Sequence, residues 1–384
     1  MKILISPDKF KDAATAADIC IALEKGIKST FPEAVCTLKP LADGGEGTLE
    51  SISLALNAQW ISCLTQDPFF NPIEAKYLLL PEKKMAVIET ARASGIELIK
   101  PENRNCMLTS SIGTGILIRD AIEKGATEIV LTVGGTATND AAIGIASALG
   151  VRYFDKDGES LLPIGQNLRY IHKIDDSELV FNRNKVSFII ATDVENPFYG
   201  QKGAAHVFSR QKGADEESVL LLDSGLKNYA SVLEKHTQIN PQNITGSGAG
   251  GGIGGGVAAL FGAKIISAAD WIIKLNDIEK HISESQILIT GEGKIDSQTW
   301  EGKLISRLLN LASNYQVPVI AICGTLQDVE KIAQQPNVMY ATSILKSPMT
   351  LEKAIVETLD LVEKQGILLG KLMKKLKSSH EVGS

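Results

Sequence analysis

At 384 residues the chain can hold two domains with their own cores, and charged and apolar fractions of 22% and 44% are those of an ordinary folded protein. A net charge of −6 gives no basic footprint and argues against nucleic acid as the main partner, although local lysines can still favour an anionic substrate. Five scattered cysteines without C-x-x-C argue against a disulfide framework or zinc site, and no apolar run approaches the ~20 residues that span a bilayer.

The first residues, Met1 to Asp8, have too short an apolar run for a signal peptide, so a cytoplasmic protein is expected. Residues 2–6 read as a buried strand stopped by Pro7, and helical periodicity follows over 15–29. A strand at 35–38 runs into an acidic, glycine-rich loop, Asp43-Gly44-Gly45-Glu46-Gly47-Thr48, and a helix over about 46–57. This β-α-β-α order predicts a parallel, doubly wound sheet. Strand-like runs at 59–65, 73–80 and 85–89, separated by Pro68, Pro72 and Pro81, predict an antiparallel or mixed sheet and a boundary near Gln66.

Alternation returns with a helix over 113–124, a strand over 128–133 and a helix over 139–149. Residues 155–183 are polar and read as a surface excursion with a hairpin start at Asp157-Gly158. A strand at 187–191, an amphipathic helix over 216–236 and a glycine-rich run over 246–256 follow. The end of the chain is plain α/β: strand 287–290, a second acidic glycine loop Gly291-Glu292-Gly293-Lys294-Ile295-Asp296, helix 301–314, strands 317–322 and 338–341, and a long helix from Thr350. The two ends look alike and the middle does not. The expectation is therefore an α/β protein with a discontinuous first domain, 1–65 and 285–384, into which a mixed α/β domain, 66–284, is inserted.

Glycine lets backbone N–H groups approach a ligand closely, and carboxylates in the same loop can hold Mg²⁺ or take a proton. The two acidic glycine loops thus point to a charged ligand with a metal. Thr132-Val133-Gly134-Gly135-Thr136-Ala137-Thr138-Asn139-Asp140 follows a strand and opens a helix. It is either a phosphate site at a helix N-terminus or a tight turn with Thr138 or Asn139 as an N-cap. Asp193 stands just past a buried strand, where an acid can be a general base or a metal ligand, or make an Asx-turn into Pro197. Two short basic loops, Pro7-Asp8-Lys9-Phe10-Lys11 and Ser209-Arg210-Gln211-Lys212-Gly213, could clamp a carboxylate or phosphate, or be solvated surface. Gly246 to Gly251 satisfies G-x-G-x-x-G, but with no clear strand before it a NAD site is not expected. No Walker A sequence and no protein-kinase H-R-D or D-F-G occurs, and the five histidines show no catalytic or metal-ligand spacing.

These loops, in order, resemble the bacterial glycerate kinases of the two-domain type, and the resemblance runs essentially end to end. It rests on Pro7-Asp8 with Phe10-Lys11, Ala42 to Thr48, Gly134-Gly135 with Ala137 to Asp140, Thr192-Asp193-Val194 with Asn196-Pro197, Gln211 to Ala214, the glycine run, and Gly291-Glu292-Gly293 with Ile295 to Thr299 and Gly302-Lys303. The resemblance implies ATP-dependent phosphorylation of D-glycerate with Mg²⁺, a flavodoxin-like domain, and a site in the cleft between it and the inserted domain. In that reading Asp193 is the base, and Asp43 and Asp296 hold Mg²⁺ or water. Gly134, Gly135, Thr136 and Thr138 cradle phosphate, and Lys11, Lys212 and Lys294 neutralise charge. Asp8, Gly44, Gly45, Asn139, Gly291 and Gly293 complete the expected substrate- and phosphate-binding set.

Several positions depart from the family pattern. Lys9 replaces a small residue, Asp12 a frequent glycine, Ala141 and Ala142 a frequent glycine pair, Ser209-Arg210 a common Gly-Pro, and Trp300 a leucine. The partners expected are ATP and D-glycerate, with 2-phosphoglycerate favoured over 3-phosphoglycerate as product, in a monomer or homodimer with no nucleic acid or membrane. The alternatives are a kinase for another hydroxy acid or sugar acid, or a non-catalytic nucleotide-binding regulator.

Overall fold

A computed structural model describes residues 1–42, 44–45, 47–296, 299, 304–327 and 329–382. Of the residues named above, Asp43, Glu46, Ser297, Gln298, Trp300, Glu301, Gly302 and Lys303 lie outside the described set. The strands in chain order are β1 (Lys2–Ile5), β2 (Val35–Leu38), β3 (Gln59–Gln66), β4 (Pro72–Leu80), β5 (Met85–Glu89), β6 (Glu128–Thr132) and β7 (Arg152–Phe154). They continue with β8 (Lys173–Asp175), β9 (Ser187–Ala191), β10 (Lys264–Ile266), β11 (Ile287–Ile295), β12 (Val319–Leu326) and β13 (Val338–Ser343). The chain divides into two compact units, one of Met1–Asp43, Glu50–Asn57 and Ala269–Ser384, the other of Gly44–Leu49 and Ala58–Ala268.

In the first unit the strand order is β13-β12-β11-β1-β2, every neighbour parallel. Numbered within the unit this is 2-1-3-4-5, the flavodoxin-like order. Near-continuous apolar strands are what a parallel sheet covered on both faces requires, and Ile3, Leu4, Ile5, Leu288 and Ile289 are all fully buried. The helix Ala16–Thr30 starts where Thr15 can cap it: the Thr15 hydroxyl oxygen accepts the Asp18 N–H at 3.1 Å.

The second unit carries a mixed sheet, β10-β9-β6-β5-β4-β3, in which β5, β6, β9 and β10 are parallel and β3 and β4 antiparallel. The boundaries expected at 65/66 and 284/285 fall elsewhere for identifiable reasons. All eight residues of β3 pair with β4, from Gln59 opposite Leu79 to Gln66 opposite Pro72, so β3 belongs to this sheet. At the other end, the helices Ala268–Leu275 and Ile278–Ser283 are tied to the helix Leu304–Asn314 by the Arg307–Asp270 ion pair and by the Tyr315 hydroxyl donating to Glu279 at 2.9 Å.

Three further expectations change. The helix expected over 139–149 is only Ile143–Ala148, because Ala141 and Ala142 both take left-handed φ, +50° and +65°, and delay its start. The second acidic glycine loop is strand, since β11 runs on through Gly291 to Ile295 in register with β12. Residues 155–183 are more than a surface excursion. The turn at Asp157-Gly158 does form, bringing Phe154 opposite Ser160, but Ile164 is buried further on, and Leu168, Ile171 and Ile174 are buried in the unit's core.

Candidate functional site

In the second unit the register sets the site. Glu89 pairs with Thr132, Thr132 with Ala191 and Ala191 with Ile266, so β5, β6, β9 and β10 end level with one another. The residues that follow each strand therefore emerge at one carboxyl edge, the usual ligand position in an α/β sheet. After β6 come Gly134 and Gly135, after β9 Asp193, and after β10 Ser267. Gly44 and Gly45 lie at the same edge: a Cβ on Gly44 would sit 3.2 Å from the Ala191 carbonyl oxygen, and one on Gly134 3.0 Å from Gly45 Cα.

Asp193 is exposed, and its Oδ1 accepts the Ser267 hydroxyl at 2.7 Å. The turn at this point is made by Thr192, whose hydroxyl oxygen accepts the Val194 N–H at 3.2 Å, so Asp193 is not spent on an Asx-turn. Glu89, 2% exposed, accepts the Leu49 N–H on Oε1 at 3.0 Å and the Arg92 Nε–H on Oε2 at 2.8 Å. Its carboxylate thereby meets the first turn of the helix Thr48–Ala55, where negative charge is favoured. Glu89, Arg92 and Ser267 escaped the sequence reading. The available signal was that Glu89 ends a predicted strand, as Asp193 follows one.

The turn from Gly134 to Asp140 has two layers. Gly134 and Gly135 are exposed, whereas Thr136, Thr138 and Asn139 are buried. The outer backbone is tied to the segment after β5, with Gly135 O accepting the Ile96 N–H and the Ala137 N–H donating to Ser94 O, both at 2.8 Å. Beneath it lies Lys212, whose Nζ donates to Thr136 Oγ1 at 3.0 Å and to Thr138 O at 2.7 Å. Burial pushes its ammonium down to about 8, opposed by the nearby Cys106 and Asp140. Neither Thr138 nor Asn139 caps the following helix. Among the described residues Thr138 Oγ1 and both Asn139 amide atoms have no hydrogen-bond partner. Asp140 does the positioning instead. Its Oδ2 accepts the Ser111 N–H and hydroxyl, each at 2.7 Å, and the Gly144 N–H at 3.2 Å, while burial pushes its carboxyl up.

The glycine run packs against the inner side of this turn, where a Cβ on Gly251 would sit 2.1 Å from Thr138 O. What precedes it is the 3₁₀ turn Pro241–Asn243. Packing accounts for its glycines, and the dinucleotide arrangement is not met. The loop at Ser209 to Gly213 divides in the same way. Arg210 forms a two-bond pair with Glu216, at 3.0 and 2.9 Å, and only Lys212 turns inward.

In the first unit the candidates gather at the carboxyl ends of β1 and β11, where the strand order reverses. The Asp8 N–H donates to Gly291 O at 2.8 Å, and Asp8 Oδ1 accepts the Lys9 N–H at 2.7 Å. A Cβ on Gly293 would sit 3.2 Å from the Lys11 nitrogen, so β11 passes close under the Phe10-Lys11 backbone. Lys294 Nζ pairs with Asp296 Oδ2 at 2.9 Å. Lys11 and Lys294 are exposed. Gly291 is required by the sheet, since a Cβ there would lie 1.8 Å from Ile322 O of β12. Among the described residues no three His, Cys, Asp or Glu side chains converge where they could hold a metal, and no helix is long and apolar enough to cross a membrane.

Residues 3–374 match the model of the glycerate kinase family. A glycerate kinase from Halalkalibacterium halodurans is 38% identical over 361 residues, 94% of this chain and 95% of that protein. A glycerate 2-kinase from Escherichia coli is 37% identical over 354 residues, 92% of this chain and 93% of that protein. A crystal structure described as that of a putative glycerate kinase 2 from Salmonella typhimurium LT2 superposes with a TM-score of 0.87 at 33% identity, covering 98% of this chain and 99% of that one.

Proposed function

Because the chain belongs to the glycerate kinase family, we propose that it transfers the γ-phosphoryl group of ATP to a hydroxyl of D-glycerate, releasing ADP. The observation that carries this reading is the end-to-end family match, supported by the level carboxyl edge from which Gly134, Gly135 and Asp193 emerge.

Phosphoryl transfer asks the protein for positioning and charge neutralisation more than for covalent chemistry. The exposed backbone of Gly134 and Gly135 is the proposed phosphate cradle, with Thr136, Thr138 and Asn139 shaping it from below. Asp193 is the proposed base: Ser267 holds one carboxylate oxygen, leaving the other to take the proton of the attacking hydroxyl as its oxygen bonds phosphorus and the bond to ADP breaks. Lys11 and Lys294 supply positive charge for the glycerate carboxylate and the phosphates, and Lys212 adds its charge from beneath the cradle. Asp8, Gly44, Gly45, Gly291 and Gly293 complete the proposed binding set.

The donor chemistry suits Mg²⁺, because Asp296 offers carboxylate oxygens and the ion is commonly held by one or two carboxylates plus substrate phosphates. Asp296, with Asp43, is the proposed protein contribution. Bound there, the ion would offset phosphate charge. The Lys294–Asp296 pair at 2.9 Å would then have to share that carboxylate.

The product favoured is 2-phosphoglycerate, in keeping with the relative named a glycerate 2-kinase. A coupled assay of ADP release over a panel of hydroxy acids and sugar acids tests the reading, with D-glycerate expected to give the highest kcat/KM. Phosphorus NMR of the product then separates 2- from 3-phosphoglycerate. A different acid at the top of the panel would move the chain to another small-acid kinase. ADP release with none of them would leave only nucleotide binding.

A further inference from the structure

We propose that Lys212 is a positioning residue, whose ammonium pins the inner side of the Gly134–Asp140 turn so that the outer Gly134-Gly135 backbone keeps a phosphate-receiving shape; this rests on the kinase reading above. The outer layer of the turn is fastened by backbone bonds to Ser94 and Ile96. The inner layer is fastened at Ala137, whose carbonyl accepts the Thr109 hydroxyl at 3.1 Å, and at Asp140, but between them Thr138 Oγ1 and the Asn139 amide have no partner among the described residues. Lys212 supplies what is missing, with one bond to a side chain, Thr136 Oγ1 at 3.0 Å, and one to the main chain, Thr138 O at 2.7 Å.

The lysine is itself held. Its N–H donates to Ser209 O at 2.9 Å and its carbonyl accepts the Cys106 N–H at 3.1 Å. The next residue, Gly213, is left-handed with φ +92°, and a Cβ there would sit 1.9 Å from Arg104 O. The segment is seated too tightly to slide, so the side chain acts as a fixed strut.

The choice of residue also needs explaining. Lys212 is 3% exposed, and no carboxylate lies within 4.0 Å of its Nζ among the described residues. Burying a cation on neutral oxygens is costly, and an apolar side chain of similar length would stabilise the fold more cheaply. A strut that carries charge under an exposed anion cradle has a use that a hydrocarbon lacks. Arg210, two residues earlier, shows the contrast: it faces outward and is neutralised by Glu216.

The test compares full-length Lys212→Met, Thr136→Val and the double variant with the wild type. Lys212→Met should keep or raise the melting temperature while kcat falls by about tenfold or more, because a loss confined to the transition state appears in kcat. Thr136→Val should lose less, and the double variant should be no slower than Lys212→Met alone, since the two groups act through one contact. Hydrogen exchange of the peptide covering 134–139 should quicken in Lys212→Met, a readout that does not depend on catalysis. Unchanged exchange there overturns the proposal. So do a kcat within about twofold of wild type and losses that multiply in the double variant, the mark of independent action. If Lys212→Met does not fold, the exchange measurement is made on Thr136→Val, where quickened exchange over 134–139 supports the strut and unchanged exchange overturns it. A wild type without glycerate-dependent ADP release would defeat the kinase reading while leaving the exchange test in place.

Discussion

The two units present their candidate groups in opposite ways. In the second, the Gly134–Asp140 turn is tied to Ser94 and Ile96 on one side and to Lys212 on the other, and Asp193 is oriented by Ser267. In the first, Lys11 and Lys294 are exposed, and the contact of Lys294 is the ion pair with Asp296 two residues away. One region is fastened on several sides, and the other offers exposed charge beside a strand end. Preorganised groups are worth most where charge develops during reaction, whereas flexible lysines attract an anion and add less to the chemical step. The contrast assigns chemistry mainly to the second unit and charge capture mainly to the first.

The largest effect that could break this assignment is on kcat. Asp193→Asn should lower kcat by about 10²–10⁴-fold, the usual worth of a positioned general base, with the fold intact because the side chain is exposed. Lys294→Ala should act mainly on KM, because an exposed charge contributes to ground state and transition state alike. Steady-state kinetics on both variants check the pair. Near-normal turnover in Asp193→Asn would remove the base, and a kcat loss in Lys294→Ala as large as that of Asp193→Asn would reverse the comparison.

A smaller effect sharpens it through pH. Lys212 is pushed from the ordinary 10.5 down to about 8, chiefly by burial, with Cys106 and Asp140 facing it and opposing the shift. Between about pH 8 and 10.5 the unfolded chain therefore holds a proton at this site that the folded one has released. Stability at this site rises with pH across that window, by up to about 3 kcal/mol, and the cost of the buried charge is fully present below pH 8. Urea midpoints measured from pH 7 to 10.5 should show wild type gaining on Lys212→Met as pH rises. A pH-independent difference would mean that the folded lysine holds its proton as firmly as the unfolded one, so that burial does not depress it. Cys106, pushed up to about 11 by burial, keeps its proton across the window while the unfolded thiol loses it, a pH effect that wild type and variant share.

Why some of this was legible and some not follows from how local each cause is. Apolar runs and their punctuation revealed the strands, and a strand end followed by acid or glycine singled out Asp193 and Gly134 as candidates. Those are properties of a few consecutive residues. Lys212 and Arg210 sit in one basic loop, and nothing local says that one turns inward and the other pairs with Glu216. Burial of a lysine is decided by what packs over it. Glu89, Arg92 and Ser267 were missed for the same reason, as they gain meaning only when β5, β9 and β10 are seen to end level. The second glycine loop was misread because Gly291 marks close approach by Ile322 of β12, and a glycine that makes room for a neighbouring strand looks in sequence like one that makes a turn.

The smallest expected effect concerns backbone strain, and it too differs between the units. Ala141 and Ala142 of the second unit take φ +50° and +65°, and Asp12 of the first takes +61°. Glycine is what the sequence resemblance leads one to expect at these positions, and the left-handed geometry is one that glycine adopts without strain. An alanine there costs about 1–2 kcal/mol, while a short polar side chain such as aspartate tolerates the region better. Ala141 and Ala142 are both fully buried, so a change to glycine also gives up a methyl group worth about 0.8 kcal/mol. Strain relief exceeds that loss only slightly, and Ala142→Gly should raise stability by about 0.5 kcal/mol. Asp12→Gly loses no buried surface but relieves little strain, and should stay within about 0.5 kcal/mol of wild type. Thermal denaturation of the two variants, side by side, decides whether the second unit carries strain beside its candidate turn that the first does not. If Ala142→Gly is destabilised by more than Asp12→Gly, the buried methyl outweighs the left-handed backbone, and the strain is not where the φ angles put it.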